Sequence, residues 1–333
     1  MLKSGVVSRL KENIVYTHFF PAASVLVMTL FASVVAHTQD YPNKPIRIIT
    51  TAAGGGGDFT TRQVAQGITG PIGQPIIVDN RATGFVAAEA VSKAPADGYT
   101  LLVTGSAVWL STLFRSVPYD INRDFASITI IEFTPSVFAV HPSVPVKSVK
   151  ELIALAKARP GELSYGSDAI GGRGHLGVEL FKSMAGVNIL HVPYKGSAAA
   201  NNAVLGGEVQ IVLNDPGVLL PHAKAGRLRL LAVSTAAPTA LAPGLPTVAA
   251  TGLPGYELEG ITGFFAPAKT PAAIINRLNQ ETVRALNTPE VRERFLAASV
   301  QVVASTPEQL SDRVKSDLAK FGKVVKDAGI KVE

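Results

Sequence analysis

The stretch Ala52 to Asp58, Ala-Ala-Gly-Gly-Gly-Gly-Asp, is the part of this chain best suited to hold a small anion. It follows the apolar run Ile46-Arg47-Ile48-Ile49-Thr50, which reads as a strand, and opens a helical pattern that runs to Ile68. Four consecutive glycines leave the backbone free to take positive φ and to approach a bound group closely. Asp58 is expected to act as the N-cap by accepting the amide of Thr60 or Thr61. Strand, glycine turn and helix N-terminus together present N–H groups and about half a positive charge. A second stretch has the same construction: a short strand Leu163 to Gly166, a glycine loop Gly166 to Gly174, and a helix to Ala185. If the two loops face each other, a ligand lies between two sets of backbone amides.

Other chemistry is poorly supplied. The glycine run lacks GxGxxG spacing, and no Gly-Lys-Ser/Thr follows it for a P-loop. No GxSxG elbow surrounds Ser106, Ser167 or Ser197. Histidines 37, 141, 175, 191 and 222 have no HxxxH spacing, and cysteine is absent, so no metal site or cofactor is expected. His175, near a helix start, is either a ligand contact or a structural histidine. Arg81 is either a ligand contact or a surface charge. Trp109 and Phe114 read as core.

Elements that position these loops alternate along the chain. Strands are expected at Gln74 to Val78, Tyr99 to Thr104 and Ala126 to Phe133, with a short helix Val86 to Ala94. A capping box at Ser148 to Glu151 opens a second unit. Its further strands are Ile189 to Val192, Val209 to Leu213 and Leu228 to Val233. Leu176, Leu180 and Met184 define one buried face of the helix after the second loop. Alternation of this kind predicts doubly wound α/β units with parallel sheets. Pro238 to Gly260 reads as a return path without helical period. Thr270-Pro271 and Thr288-Pro289 read as helix starts, and Thr306-Pro307-Glu308-Gln309 as a capping box. The last helix places Leu310, Val314, Leu318, Phe321 and Val325 on one stripe, stops at Gly329, and is expected to pack on the first sheet.

The chain has 333 residues, 47% hydrophobic and 17% charged, which describes a globular protein of two domains. Its formal charge is +6, of which Lys3, Arg9 and Lys11 against Glu12 supply +2. The remaining mild excess is too thinly spread for nucleic acid and suits attraction of small anions. Residues 1–36 read as a signal peptide: a basic lead, the uncharged run Pro21 to Ala36, and Val34-Val35-Ala36 where signal peptidase reads. Extended back to Ile14, the run is long enough for an uncleaved anchor. Either way the folded part faces the outside of the inner membrane.

Several stretches match one family in order: Tyr41-Pro42-Asn43-Lys44-Pro45-Ile46-Arg47, the GGGGD loop, Val78-Asp79-Asn80-Arg81, and Ala96-Asp97-Gly98-Tyr99-Thr100-Leu101-Leu102. Tyr165-Gly166-Ser167, Gly174-His175-Leu176 and His191-Val192-Pro193-Tyr194-Lys195-Gly196-Ser197 continue it. The chain resembles the periplasmic solute-binding subunits of tripartite tricarboxylate transporters, the Bug family, from Tyr41 to the C-terminus. The resemblance implies a two-lobed, type II periplasmic-binding-protein fold, with two α/β sheets joined by two crossover strands. Lobe 1 would comprise 40–137 and 262–333, and lobe 2 138–261. It implies a monomeric, non-enzymatic receptor that closes over a small carboxylate (a di- or tricarboxylate, an amino acid or an aromatic acid) and delivers it to inner-membrane permease subunits. Mapped here, the carboxylate-holding loops are Ala53, Gly54, Gly55, Gly56, Gly57 and Asp58 in one lobe, and Ser167, Asp168, Ala169, Gly171 and Gly172 in the other. Tyr194, Asn214 and Asp215, at the ends of later strands, are further candidates.

Three departures stand out. Thr51-Ala52 replaces the family's usual Pro-Phe, Ala82-Thr83-Gly84-Phe85 replaces a longer glycine-rich stretch, and Asp168-Ala169 replaces a small residue and a glycine. Asp168 is expected to repel an anion, to pair with Arg173, or to meet an amine or hydroxyl on the ligand. A ligand sensor acting on a membrane signalling partner would have the same site, while a hydrolase would need a nucleophile–base pair that no motif supplies.

Overall fold

In the computed structural model, which describes residues 41–330, β1 (Ile46–Thr50) runs into α1 (Gly56–Ile72), β2 (Ile76–Asn80), α2 (Gly84–Ser92) and β3 (Thr100–Gly105). The expected signal segment at 1–36 lies outside the described residues. Short α3 (Ala107–Leu110), a 3-10 turn (Ser111–Leu113) and α4 (Ile121–Asp124) lead to the long strand β4 (Phe125–Pro135). The second sheet is then laid down by β5 (Val137–Val140), α5 (Val149–Ala158), β6 (Ser164–Ser167), α6 (Arg173–Ala185), β7 (Leu190–Pro193), α7 (Ser197–Gly206), β8 (Ile211–Asn214), α8 (Pro216–Lys224) and β9 (Arg229–Val233). The chain returns through β10 (Glu259–Pro267) and ends with α9 (Ala272–Leu286), α10 (Pro289–Ala297), β11 (Gln301–Val302) and α11 (Pro307–Asp327).

The first sheet has the order β11-β4-β10-β3-β1-β2 and the second β7-β6-β8-β5-β9. Both are mixed, which corrects the expectation of parallel sheets. β1 pairs parallel with β2 and β3, but β10 is antiparallel to β3 and β4, and β5 is antiparallel to β8 and β9. The cause is the crossover: β4 carries the chain out of the first sheet and β10 brings it back, so the adjacent pair must run in opposite senses. Buried β-branched and leucine side chains fill the parallel strands, as in Ile46, Ile48 and Ile49 of β1 and Leu101 to Val103 of β3.

Only Ser136 separates β4 from β5, and it is clasped to the returning chain. Ser136 N–H donates to Ser234 Oγ (2.9 Å), Ser234 N–H to Ser136 O (2.8 Å), and Ser234 Oγ–H to Leu258 O (2.6 Å). These bonds hold the two crossings side by side. Residues between β9 and β10 contain no helix, as the Pro/Gly content predicts.

α11 carries the complete capping box expected at Thr306 and Gln309. Its residues Leu310, Val314, Phe321 and Val325 are buried, and the helix packs on β4 of the first sheet. Burial of each such side chain is worth roughly 1.5–3 kcal/mol. Two local expectations change. Pro271 is itself the N-cap of α9, because Thr270 turns its hydroxyl back to Pro267 O (2.7 Å). Met184 is 38% exposed, off the buried face made by Leu176 and Leu180. Among the described residues no helix is long and apolar enough to cross a membrane.

Candidate functional site

The first glycine loop emerges from the C-terminal end of β1. The helix begins one turn earlier than the carboxylate suggests: Gly55 is the N-cap and Gly56 and Gly57 are helical, so Asp58 is the third helical residue. This corrects the expectation that Asp58 caps the helix through Thr60 or Thr61. Instead its Oδ2 reaches back to accept Gly54 N–H (2.9 Å), while Oδ1 accepts from Asn80 Nδ2 and Arg62 Nε (both 2.9 Å). The Arg62 hydrogen bond, with those from Gly54 and Asn80, outweighs burial and holds the Asp58 pKa down at about 2. The carboxylate is therefore consumed in shaping the loop, and Gly54 takes φ +80° under it. Asn80 also donates to Thr51 O (2.8 Å). Residues Ala53 to Gly56 are exposed, and no acceptor among the described residues takes the amides of Ala53, Gly55, Gly56 or Gly57. Four donors are thus left open at the helix's positive end.

Arg81 donates its backbone N–H to Thr50 O (2.9 Å) beside this loop, and its guanidinium pairs with Asp79 (2.8 Å). It is a neighbour of the loop, engaged with another carboxylate.

The second loop leaves β6 and enters α6 at Gly172, the N-cap. Two of its expected donors are already taken, a difference from the sequence reading. Gly171, at φ +77°, gives its N–H to His175 Nδ1 (2.9 Å), and Gly172 gives its own to Ala169 O (3.2 Å). Ser167 Oγ hydrogen-bonds His191 Nε2 (2.7 Å). His175 stacks on His191 with centroids 4.0 Å apart, and His191 on Tyr165 at 4.8 Å. His175 is 5% exposed and is a structural residue that fixes Gly171. Tyr194 lays its ring on Gly166 and turns its hydroxyl toward Glu208 (3.5 Å). Asn214 spends its side-chain amide on Asn201 Oδ1 (3.0 Å) and its oxygen on Asp215 N–H (2.8 Å). Asp215 pairs with Arg173. Arg173 is thus committed to Asp215, so of the alternatives expected for Asp168 the pairing with Arg173 is not made.

Both helix starts reach the same stretch of β4. Thr60 of α1 meets Glu132 Oε1 at 3.5 Å, Thr134 meets Glu132 Oε2 at 3.5 Å, and Arg173 of α6 donates to Thr134 O (3.1 Å). The Arg173 side chain also lies against the returning strand, where a Cβ at Gly260 would fall 2.3 Å from Nη1. Burial lifts the Glu132 pKa, opposed by nearby hydroxyls and the Arg173 charge. Phe114 is a residue that sequence reasoning assigned to core: its ring sits against Gly171, with 2.4 Å between Cζ and a hypothetical Cβ there. No local signal marks it, because the contact joins residues far apart in the chain.

The histidine stack makes the loop sensitive to acid. Burial, then the neighbouring His191, pushes the His175 pKa down from 6.5 to about 4, and burial lowers that of His191 as well. An unfolded chain takes up these protons first, so stability is full above about pH 6.5 and falls as pH drops toward 4. A protonated Nδ1 can no longer accept from Gly171. The melting temperature measured from pH 7.5 to 4.5 should decline in that window, and His175→Gln should flatten the decline.

Comparisons with known proteins agree with this architecture. A model of the tripartite tricarboxylate transporter family receptor matches residues 60–330. Protein BugT of Bordetella pertussis is 32% identical over 323 residues, 95% of this chain and 99% of its own length. The solved structure of R. palustris Rpa4515 with adipate is 34% identical, with a TM-score of 0.70 over 88% of this chain and 99% of that one. MatC of Rhodopseudomonas palustris with bound malate is 25% identical, with a TM-score of 0.67 over 86% of this chain and 100% of its own.

Proposed function

The chain belongs to the family of tripartite tricarboxylate transporter receptors, and from that premise we propose that it captures a small carboxylate between two lobes and delivers it to a membrane permease. As a member of that family it is a two-lobed solute-binding receptor and not an enzyme. The lobes in this reading are 40–137 with 262–333, and 138–261. The observation that carries it is the set of open amides at Ala53, Gly55, Gly56 and Gly57, at the positive end of α1. Adipate and malate, bound by the two R. palustris proteins, support a carboxylate as the guest.

Charge-assisted hydrogen bonds contribute roughly 1.5–3 kcal/mol each. Three or four, less the ordering cost, reach about −8 kcal/mol, which is micromolar. In this reading the basic, apolar segment 1–36 exports the chain, which works as a periplasmic monomer, and its partners are inner-membrane permease subunits. No nucleic acid, metal or cofactor takes part.

Native mass spectrometry of the purified protein, followed by calorimetric titration with the acid it carries, tests this. The expected result is one small carboxylic acid per chain, exchanged without chemical change. No co-purified acid, together with no melting shift across a panel of carboxylates, would overturn the proposal, as would turnover of a bound acid.

A further inference from the structure

The two loops differ in what they leave uncommitted. In the first, the carboxylate of Asp58 is consumed and the amides are open. In the second, the amides of Gly171 and Gly172 are consumed, those of Arg173 and Gly174 at the helix start have no acceptor among the described residues, and a carboxylate is open as well. That carboxylate is Asp168. It is half-buried, lies beside Gly172, with Oδ1 2.5 Å from where a Cβ there would sit, and forms no side-chain hydrogen bond or ion pair among the described residues.

Asp168 lines a cavity of about 60 Å³ at the C-terminal ends of β6 and β8, walled also by Ser167, Arg173, Ser197, Asn214 and Asp215. Ligands of open α/β sheets are received at strand ends of this kind. The cavity's one cation, Arg173, is held by Asp215 and by Thr134 O, so two carboxylates face one guanidinium and the surplus charge is negative. The space suits an ammonium group with its water rather than a whole ligand. A second ligand carboxylate placed here would meet Asp168, and the amides of Gly171 and Gly172 are already taken.

We propose that the site is polar along its length: the ligand's carboxylate is held by the first glycine loop, and a protonated amine of the same ligand enters the cavity against Asp168. The guest is therefore an amino-carboxylate, not a plain dicarboxylate. This rests on the receptor reading above and names the substrate class of that same site. Opposite charges brought together in a partly desolvated pocket favour the charged amine, while like charges there repel.

The test is a calorimetric and melting-shift panel of dicarboxylates with four to six carbons, set against matched amino acids and ω-amino acids, for example glutarate against glutamate and 5-aminopentanoate. In the wild-type protein the best amine-bearing ligand should bind at least tenfold tighter than its dicarboxylate counterpart. In Asp168→Asn that ratio should collapse to about one or invert. The wild-type panel stands even if the variant folds poorly, and Asp168→Ala provides a second variant. A wild-type protein that binds dicarboxylates as tightly as their amino counterparts, or a preference untouched in both variants, overturns this inference and leaves the receptor reading standing. If no carboxylate of either series binds, the receptor reading falls and the inference falls with it.

Discussion

Replacing Arg313 with alanine is expected to lower the unfolding free energy by about 3–5 kcal/mol, the usual cost of removing one partner from a buried ionic cluster. Arg313, on α11, donates Nε to Asp317 (2.9 Å) and lies with Nη1 3.0 Å from Glu257 and 3.1 Å from Glu259. Asp317 is 2% exposed and also accepts from Trp109 Nε1 (3.2 Å). Burial pushes the pKa of both Asp317 and Glu259 up, and the arginine opposes it. Without the guanidinium, three carboxylates remain close together with their desolvation uncompensated.

The consequence is wider than α11, because Glu257 and Glu259 sit where the returning crossover enters β10. Urea denaturation of the wild type and Arg313→Ala measures the loss. Arg313→Lys should recover only part of it, since a point charge cannot reach three acceptors as a planar fork does. The deficit should shrink as pH falls from 7 to 5, because the unpaired carboxyls relieve themselves by taking up protons. A loss below about 1 kcal/mol would mean that the cluster is solvated and contributes as a surface network does.

The largest expected effect on binding comes from Gly171→Ala. At φ +77° an alanine costs about 1–2 kcal/mol, and its Cβ would lie 2.4 Å from Phe114 Cζ and 2.5 Å from Cε2. Either the ring or the loop must move. Movement of the loop breaks the bond from Gly171 to His175 and shifts Ala169 and Asp168 with it. Affinity for the co-purified acid should fall at least tenfold, with a loss of about 1–3 kcal/mol in stability. Combining it with Phe114→Leu separates the causes: relief of the clash should restore part of the affinity, and the conformational penalty should remain. Independent, additive effects of the two substitutions would show that ring and loop do not act together.

The Gly171–Phe114 contact also illustrates the limit of reading the chain as text. Gly171 is visible as a flexible point in a loop, but the ring that rests on it is separated from it by β4 and most of the second sheet's first half. Asp58 failed differently. Its type and position mark a helix start correctly, yet the register slipped because glycines Gly55 to Gly57 carry no propensity that says whether they are loop or first turn. The sequence reading of paired amide cradles meets the same difficulty at Gly171 and Gly172, whose N–H groups are satisfied by His175 and Ala169 within the loop itself.

From the sequence alone came the alternation of strands and helices, the two glycine turns that precede helices, the capping box of α11 and its apolar stripe. These are local properties, set by backbone freedom, side-chain branching and the periodicity of burial within a dozen residues. Only the tertiary structure decided that both sheets are mixed, that Arg173 lies across the two crossover strands, and that the carboxylate of Asp58 is consumed in the first loop while that of Asp168 stays unpaired in the second. Those outcomes depend on which distant group reaches a donor or acceptor first, and a buried polar group accepts whatever partner the packed chain brings within hydrogen-bonding distance.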